Sequence, residues 1–97
     1  GENYMHNNNG VLTAIRTLLS VARSEMSTEK DRLDSVQTLV DTPDIFNSEL
    51  STFARDIEAL RTVLSDIQKD PMTSDKGRVR AARLSIQLET LIARSMR

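Results

Sequence analysis

Apolar side chains recur at alternating steps of three and four residues over positions 12–40. Eight of the nine positions in this series are apolar, and the full series is Leu12, Ile15, Leu19, Ala22, Met26, Glu29, Leu33, Val36 and Val40. In an α-helix such steps place the side chains in a narrow seam on one face, which another helix must cover. The pattern predicts a first helix from about Gly10 to Val40, with the apolar members of the seam, Met26 among them, in the core.

A helix-start signal lies inside this seam. Residues 27–31 have the sequence Ser-Thr-Glu-Lys-Asp, and Thr28 precedes Asp31 by three residues, which is the spacing of a capping box. Glu29 also places a charge at a seam position. The alternative is that the helix breaks here into two shorter ones. Because the three-four phase continues across the segment, we nevertheless expect one continuous helix.

A second apolar seam follows after a predicted turn at residues 41–44. Thr42 suits the N-cap of a new helix, and Pro43 suits its first position, where no N–H is needed. The second helix is expected from about 43 to 69, with its own alternating seam of Phe46, Leu50, Phe53, Ile57, Leu60, Leu64 and Ile67. A short link between two matching seams favours an antiparallel hairpin.

Pro71 disfavours helix at the residue before it and so ends the second helix. Ser74 or Asp75 is predicted to cap a third helix that reaches to about Met96. Its apolar residues fall into two groups. The larger group shares one face and is expected to be buried: Ala81, Leu84, Leu88, Leu91 and Ile92. The smaller group forms a strip that we expect to stay uncovered in the monomer: Val79, Ala82, Ile86 and Ala93.

The predicted fold is all-α: an antiparallel helical hairpin with a third helix packed on it, as in a three-helix bundle or a short coiled coil. Residues 11–97 are expected to form this single domain. Residues 1–10 lack apolar periodicity, contain three consecutive asparagines and are expected to be a flexible N-terminal tail. The only histidine, His6, lies in this tail, where we expect neither a metal ligand nor a catalytic base.

The composition excludes several functional classes. The 97 residues include no cysteine, so the chain has no disulfide framework, thiolate zinc site or cysteine nucleophile. No apolar run approaches the roughly 20 residues of a membrane span, and the N-terminus lacks the basic-then-apolar order of a signal peptide. We therefore expect a cytoplasmic protein without a membrane span.

Sequence motifs of catalysis are missing as well. The sequence has no glycine-rich phosphate loop, no Ser-His-Asp set and no Glu-x-x-His motif. Acidic residues about one turn apart occur at Glu25 with Glu29 and at Asp31 with Asp34. Such pairs can bind a cation, but they are more typical of a solvated helix face. We expect no enzymatic activity, no cofactor and no small-molecule substrate.

Charge is distributed unevenly along the chain, although the net charge is −1. Residues 1–75 carry seven Lys/Arg and thirteen Asp/Glu, whereas residues 76–97 carry six Lys/Arg and one Glu. Polar residues of the third helix keep a four-three spacing and form one stripe: Lys76, Arg80, Arg83, Gln87, Thr90, Arg94 and Arg97. Such asymmetry indicates a charged partner or neutralisation within the fold.

Three interpretations of the stripe stay open. It faces solvent or pairs with acids of the second helix, such as Asp56, Glu58, Asp66 and Asp70; it docks an acidic protein surface; or it binds nucleic acid. Phosphate recognition requires a dense basic field, and the rest of this chain is acidic. No aromatic side chain lies among the arginines to stack on bases, which disfavours the third interpretation.

From the sequence we expect a non-enzymatic protein–protein interaction or assembly module, such as a small helical adaptor, a chaperone-like protein or an oligomerisation subunit. It would present apolar and arginine-rich helix faces to partner helices, including those of a second copy. The expected contact residues lie on the third helix: Val79, Arg80, Arg83, Ile86, Ala93 and Arg94. The alternative is a nucleic-acid-binding accessory protein that uses this basic helix.

Overall fold

Four α-helices account for most of the described part of the chain. A computed structural model describes residues 2–42 and 53–95, with side chains from residue 10 onward in the first range. The helices are α1 (Glu2–Arg23), α2 (Glu29–Val40), α3 (Ala54–Lys69) and α4 (Asp75–Ser95). No strand occurs within these two ranges, and the predicted all-α class is confirmed. Three helices were expected, and four are found because the first of them is broken.

The break separates α1 from α2 at residues 24–28. Thr28 has an extended backbone, with φ −66° and ψ 155°, and its Oγ1 accepts a hydrogen bond from the Asp31 N–H at 3.1 Å. This bond satisfies one of the amides that the first turn of a helix leaves unpaired. The prediction of a continuous helix from Gly10 to Val40 is therefore wrong, and the capping signal within the seam marks a true helix start.

Met26 lies in this turn and is 95% exposed, so its predicted place in the core is also wrong. Three-four spacing places side chains on one face only while the chain stays helical. The chain leaves the helix at this turn, so the continuation of the series across it is a coincidence of spacing. Glu29, the next member of the series, is half-buried. On either side of the break, the seam behaves as predicted: Ile15, Leu19 and Leu33 are buried.

The outer ends of the predicted helices differ in part from expectation. α1 begins at Glu2 rather than near Gly10, since a helix that is already nucleated adds residues at little cost. The division into a tail at 1–10 and a bundle at 11–97 stays a prediction. At the other end, Ser74 Oγ accepts a hydrogen bond from the Gly77 N–H at 3.1 Å, which confirms the predicted cap of α4.

The predicted second helix is seen from Ala54 to Lys69 as α3. Its proposed beginning at 43–52, including Phe46 and Leu50, lies outside the described residues. Thr42 closes the described range, and its hydroxyl donates back to the carbonyls of Thr38 and Leu39 at 3.1 and 3.2 Å.

The helices pack around a single core. α1 contacts α2 and α3, and α4 contacts the same two helices. α2 and α4 run in the same direction, because Glu29 meets Gly77 at one level and Asp34 meets Arg80 at the next. The core consists of Ile15, Leu19, Ala22, Leu33, Val36, Leu39, Val40, Phe53, Ile57, Leu60, Val63, Leu64, Ile67, Ala81, Leu84, Leu88, Leu91 and Ile92. Across residues 2–42 and 53–95, no helix has the length and apolar character needed to cross a membrane.

Candidate partner-binding surface

The outward face of α4 carries apolar side chains that the bundle does not cover. Val79 is 61% exposed and Ile86 is 69% exposed, and Ala93 is exposed as well. These three residues, which we call the apolar row, recur every seven residues and therefore lie on one side of the helix. Leu84 and Leu88, on the opposite side, are completely buried. Three members of the predicted strip are thus exposed as expected, whereas Ala82 is half-buried, and contact of the strip with a partner stays a prediction.

The side of α4 that faces α3 is held by polar contacts within the bundle. Glu89 accepts hydrogen bonds from Arg61 Nε and Nη2 at 2.6 and 2.8 Å, and Arg61 also pairs with Glu58. These charge-assisted hydrogen bonds from Arg61 hold the pKa of the Glu89 carboxyl below its ordinary value. Gln68 Nε2 donates to Ser85 Oγ at 3.0 Å. The polar residues on this side are therefore already engaged.

On the side that faces α2, Arg80 is engaged too. Its Nη2 lies 2.6 Å from Asp34 Oδ1, and the second oxygen of that carboxylate lies 2.8 Å from Lys30 Nζ. A hydrogen bond from Lys30 and a smaller effect of the hydrogen bond from Arg80 lower the pKa of the Asp34 carboxyl below its ordinary value. The structure thus separates Arg80 from Arg83 and Arg94, since its guanidinium is paired with Asp34 within the chain.

The acid that neutralises Arg80 was not among the residues that the sequence suggested. Four acids of the second predicted helix were the expected partners of the stripe: Asp56, Glu58, Asp66 and Asp70. Instead, Asp34 of α2 fills this role, and Asp56 pairs with Arg23 of α1 at 3.0 Å. The position of α2 beside α4 follows from the break at residues 24–28, which sequence periodicity had concealed.

Three cations of α4 have no such partner. Lys76, Arg83 and Arg94 are exposed, and none forms an ion pair or a side-chain hydrogen bond within the described residues. Their intervals of seven and eleven residues are close to two and three helical turns, so they form a second line along the helix, which we call the basic row. Lys76 was part of the predicted polar stripe but not of the predicted contact set. The structure places it with Arg83 and Arg94.

Apart from the two rows, the described residues form a cavity between helices. A cavity of about 270 Å³ lies between the beginnings of α2 and α4, lined by Glu29, Lys30, Leu33, Ser74, Lys76, Gly77 and Arg80. No group of three or more histidine or acidic side chains that could hold a metal ion occurs in the part of the chain that the structure describes. The most distinctive feature is therefore the pair of rows on α4.

Comparison with known proteins adds no relative to this description. Neither family models, nor curated proteins, nor solved structures give a match to this chain.

Proposed function

We propose that this chain is a non-enzymatic protein–protein interaction module that binds a partner helix on the outward face of α4. The observation that carries the proposal is the exposure of Val79 and Ile86, 61% and 69%, at positions exactly one heptad apart. A seven-residue apolar repeat is the pattern that a packed partner helix covers. Ala93 continues the repeat by one further heptad.

Free energy favours covering this row. Each Å² of apolar surface removed from water contributes about 25 cal/mol, so exposed valine and isoleucine side chains are a source of binding free energy. α4 itself is well anchored, because Ala81, Leu84 and Leu88 are completely buried against the other helices. The row is thus presented on a fixed support. An adaptor, a chaperone-like protein and an assembly subunit would all use such a surface in this way.

Nucleic-acid binding is the competing function, and the ion pairs of α4 weaken it. Asp34 pairs with Arg80, and Arg78 lies 3.7 Å from Asp75, which leaves Lys76, Arg83 and Arg94 as the described cations of α4 without an ion-pair partner. Binding to duplex DNA would lose affinity with a log–log salt slope of about −0.9 for each phosphate contacted. For a protein bound through the apolar row, the salt slope would not be proportional to a number of phosphate contacts.

The test compares two doubly substituted chains as bait in affinity capture from native extract. Val79→Asp with Ile86→Asp introduces two charges into the apolar row, and Ala14→Asp with Ser20→Asp introduces the same charges at exposed positions of α1. We expect a partner that the unmodified chain and the α1 variant capture and that the row variant loses. Circular dichroism confirms that both variants remain folded.

Capture that is equal for the two variants would contradict the proposed surface. A retained species that is nuclease-sensitive, and that is lost on substitution of Arg83 and Arg94 instead, would favour the nucleic-acid alternative. Protection of α4 amides from hydrogen exchange in the purified complex would support direct contact at this helix.

A further inference from the structure

We infer that the partner of this face is an acidic amphipathic helix, not a second copy of this chain. The inference rests on the proposed function and specifies the chemistry of the partner. It follows from the charges that lie beside the apolar row, from their one-sided arrangement, and from the lack of a free acid on α4 that a second copy would offer.

The first step is the charge balance of α4. Its two acids, Asp75 and Glu89, both lie next to arginines: Asp75 is 3.7 Å from Arg78, and Glu89 is bound by Arg61. On α2, Asp34 binds Lys30 and Arg80. The Glu29 carboxylate packs against Gly77 and forms no ion pair within the described residues. The basic row is therefore left without an ion-pair partner in the described residues.

The second step is the relative position of the two rows. Arg83 follows Val79 by four residues and precedes Ile86 by three, so it borders the apolar row between these two side chains. Arg94 follows Ala93 directly, and Lys76 precedes Val79 by three residues. A helix that packs on the apolar row would have one flank opposite these cations, and acidic residues on that flank would form ion pairs with them.

The third step argues against a symmetric pair in which α4 packs on α4 of a second copy. In a two-fold, antiparallel pair of α4 helices, equivalent flanks meet, so the two basic rows would oppose each other. In a parallel pair, the basic row would meet the other flank, where Arg78 is a like charge, Glu89 is already bound to Arg61, and Asp75 lies 3.7 Å from Arg78. Like charges at an interface oppose association, and both arrangements contain them.

The test uses three fluorescent helical peptides that share one leucine heptad seam and differ only in their flanking residues, which are glutamate, glutamine or lysine. Binding to the full chain is measured by fluorescence anisotropy at about 0.1 M and about 1 M salt, where the screening length differs about threefold. We expect the glutamate peptide to bind best, and its preference over the glutamine peptide to shrink at high salt.

The matched variant reverses two cations of the basic row, Arg83→Glu and Arg94→Glu, and leaves the apolar row intact. This variant is expected to bind the glutamate peptide about tenfold or more weakly than the unmodified chain does. It is expected to bind the lysine peptide more tightly, because exchanging the sign of the charge on both partners restores their attraction. Equal binding of the three peptides by the unmodified chain, or no binding of the glutamate peptide, overturns the inference.

Light scattering of the purified chain separates this inference from the proposed function. We expect a monomer. A dimer that Val79→Asp with Ile86→Asp dissociates would overturn the acidic partner while leaving α4 as an interaction surface. Failure of the proposed function would give a different result. In that case the Val79→Asp, Ile86→Asp variant and the unmodified chain would bind every peptide and every captured protein equally well.

Discussion

The carboxylate of Glu29, in the first turn of α2, occupies the space beside Gly77 of α4 that a β-carbon would need. A β-carbon at Gly77 would lie only 2.7 Å from Glu29 Cδ and closer still to its Oε1, and it would lie 3.1 Å from Thr73 Cγ2. Gly77 is buried, and the ends of the two helices meet at this point. The absence of a side chain therefore allows α2 and α4 to begin side by side.

This relationship predicts coupling between the two positions. Gly77→Ala places a methyl group where the Glu29 carboxylate lies, so the glutamate side chain must move at a cost in stability. This cost opposes the gain of roughly 1 kcal/mol that alanine gives over glycine through its higher helix propensity. In the Glu29→Ala background the carboxylate is gone, and Thr73 Cγ2 remains 3.1 Å from the added methyl. We expect Gly77→Ala to be more favourable there, with a coupling free energy of about 0.5–1 kcal/mol from urea unfolding of the four chains. Identical effects in both backgrounds would show that the carboxylate does not occupy this space.

Glu29 also tests how the apolar seam tolerates charge. It forms no ion pair or hydrogen bond through its carboxylate within the described residues, so it holds no buried arginine there. We expect Glu29→Leu to be neutral or stabilising in thermal melts, since leucine would extend the apolar contact of Leu33 in the neighbouring turn. Loss of a negative charge at a helix N-terminus, worth about 0.3–1 kcal/mol, limits the gain. A large destabilisation would indicate a charge partner that the helix packing does not suggest.

Two members of the same predicted seam should lose very different amounts of stability on truncation. Leu19 is 5% exposed and Met26 is 95% exposed. Leu19→Ala is expected to reduce the free energy of unfolding by about 2–5 kcal/mol, because it leaves a cavity in the core. Met26→Ala removes a side chain that lies in water and should change stability by less than about 0.5 kcal/mol. Leu60→Ala, at a fully buried site of α3, is expected to match Leu19→Ala, and chemical denaturation measures all three.

The contrast between Leu19 and Met26 shows what the sequence could and could not predict. Periodicity identified the buried faces of α1, α3 and α4 correctly, because burial follows directly from helical spacing. It could not distinguish a continuous helix from two helices whose seams share a phase by chance. The start of the second of these helices is fixed by the hydroxyl of Thr28, which caps it. This local capping interaction outweighs the apolar pattern that continues across the break.

The surface was predictable in a more limited way. The exposure of Val79 and Ile86 followed from their position opposite the leucines of α4. The ion pair between Arg80 and Asp34 did not, since the two residues are far apart in sequence and meet only because the break at 24–28 turns α2 back along α4. Which cations remain without a partner is a property of this three-dimensional arrangement.

Capping is expected to stabilise the two helix starts that meet at Gly77. Thr28 Oγ1 accepts from the Asp31 N–H and Ser74 Oγ accepts from the Gly77 N–H, each at 3.1 Å. Thr28→Ala and Ser74→Ala should each lower the free energy of unfolding by about 0.5–2 kcal/mol, because an amide of the first turn loses its acceptor. Thr28→Ser retains the hydroxyl and serves as the control. Equal stability of the alanine and serine variants would rule out a capping role.

Acid should weaken the contact between α3 and α4 through Glu89. Hydrogen bonds from Arg61 lower the pKa of this carboxyl in the folded state, so folding favours its charged form. The stabilisation is complete above the ordinary carboxyl pKa of about 4.3 and is lost as pH falls through the lowered value in the folded protein. Glu89→Gln removes this titration, and because the pair is largely exposed it should cost less than about 1 kcal/mol at neutral pH. Urea unfolding across acidic pH is expected to show the two chains converging in stability as pH falls. A constant difference between them at every pH would mean that the charge of Glu89 does not contribute.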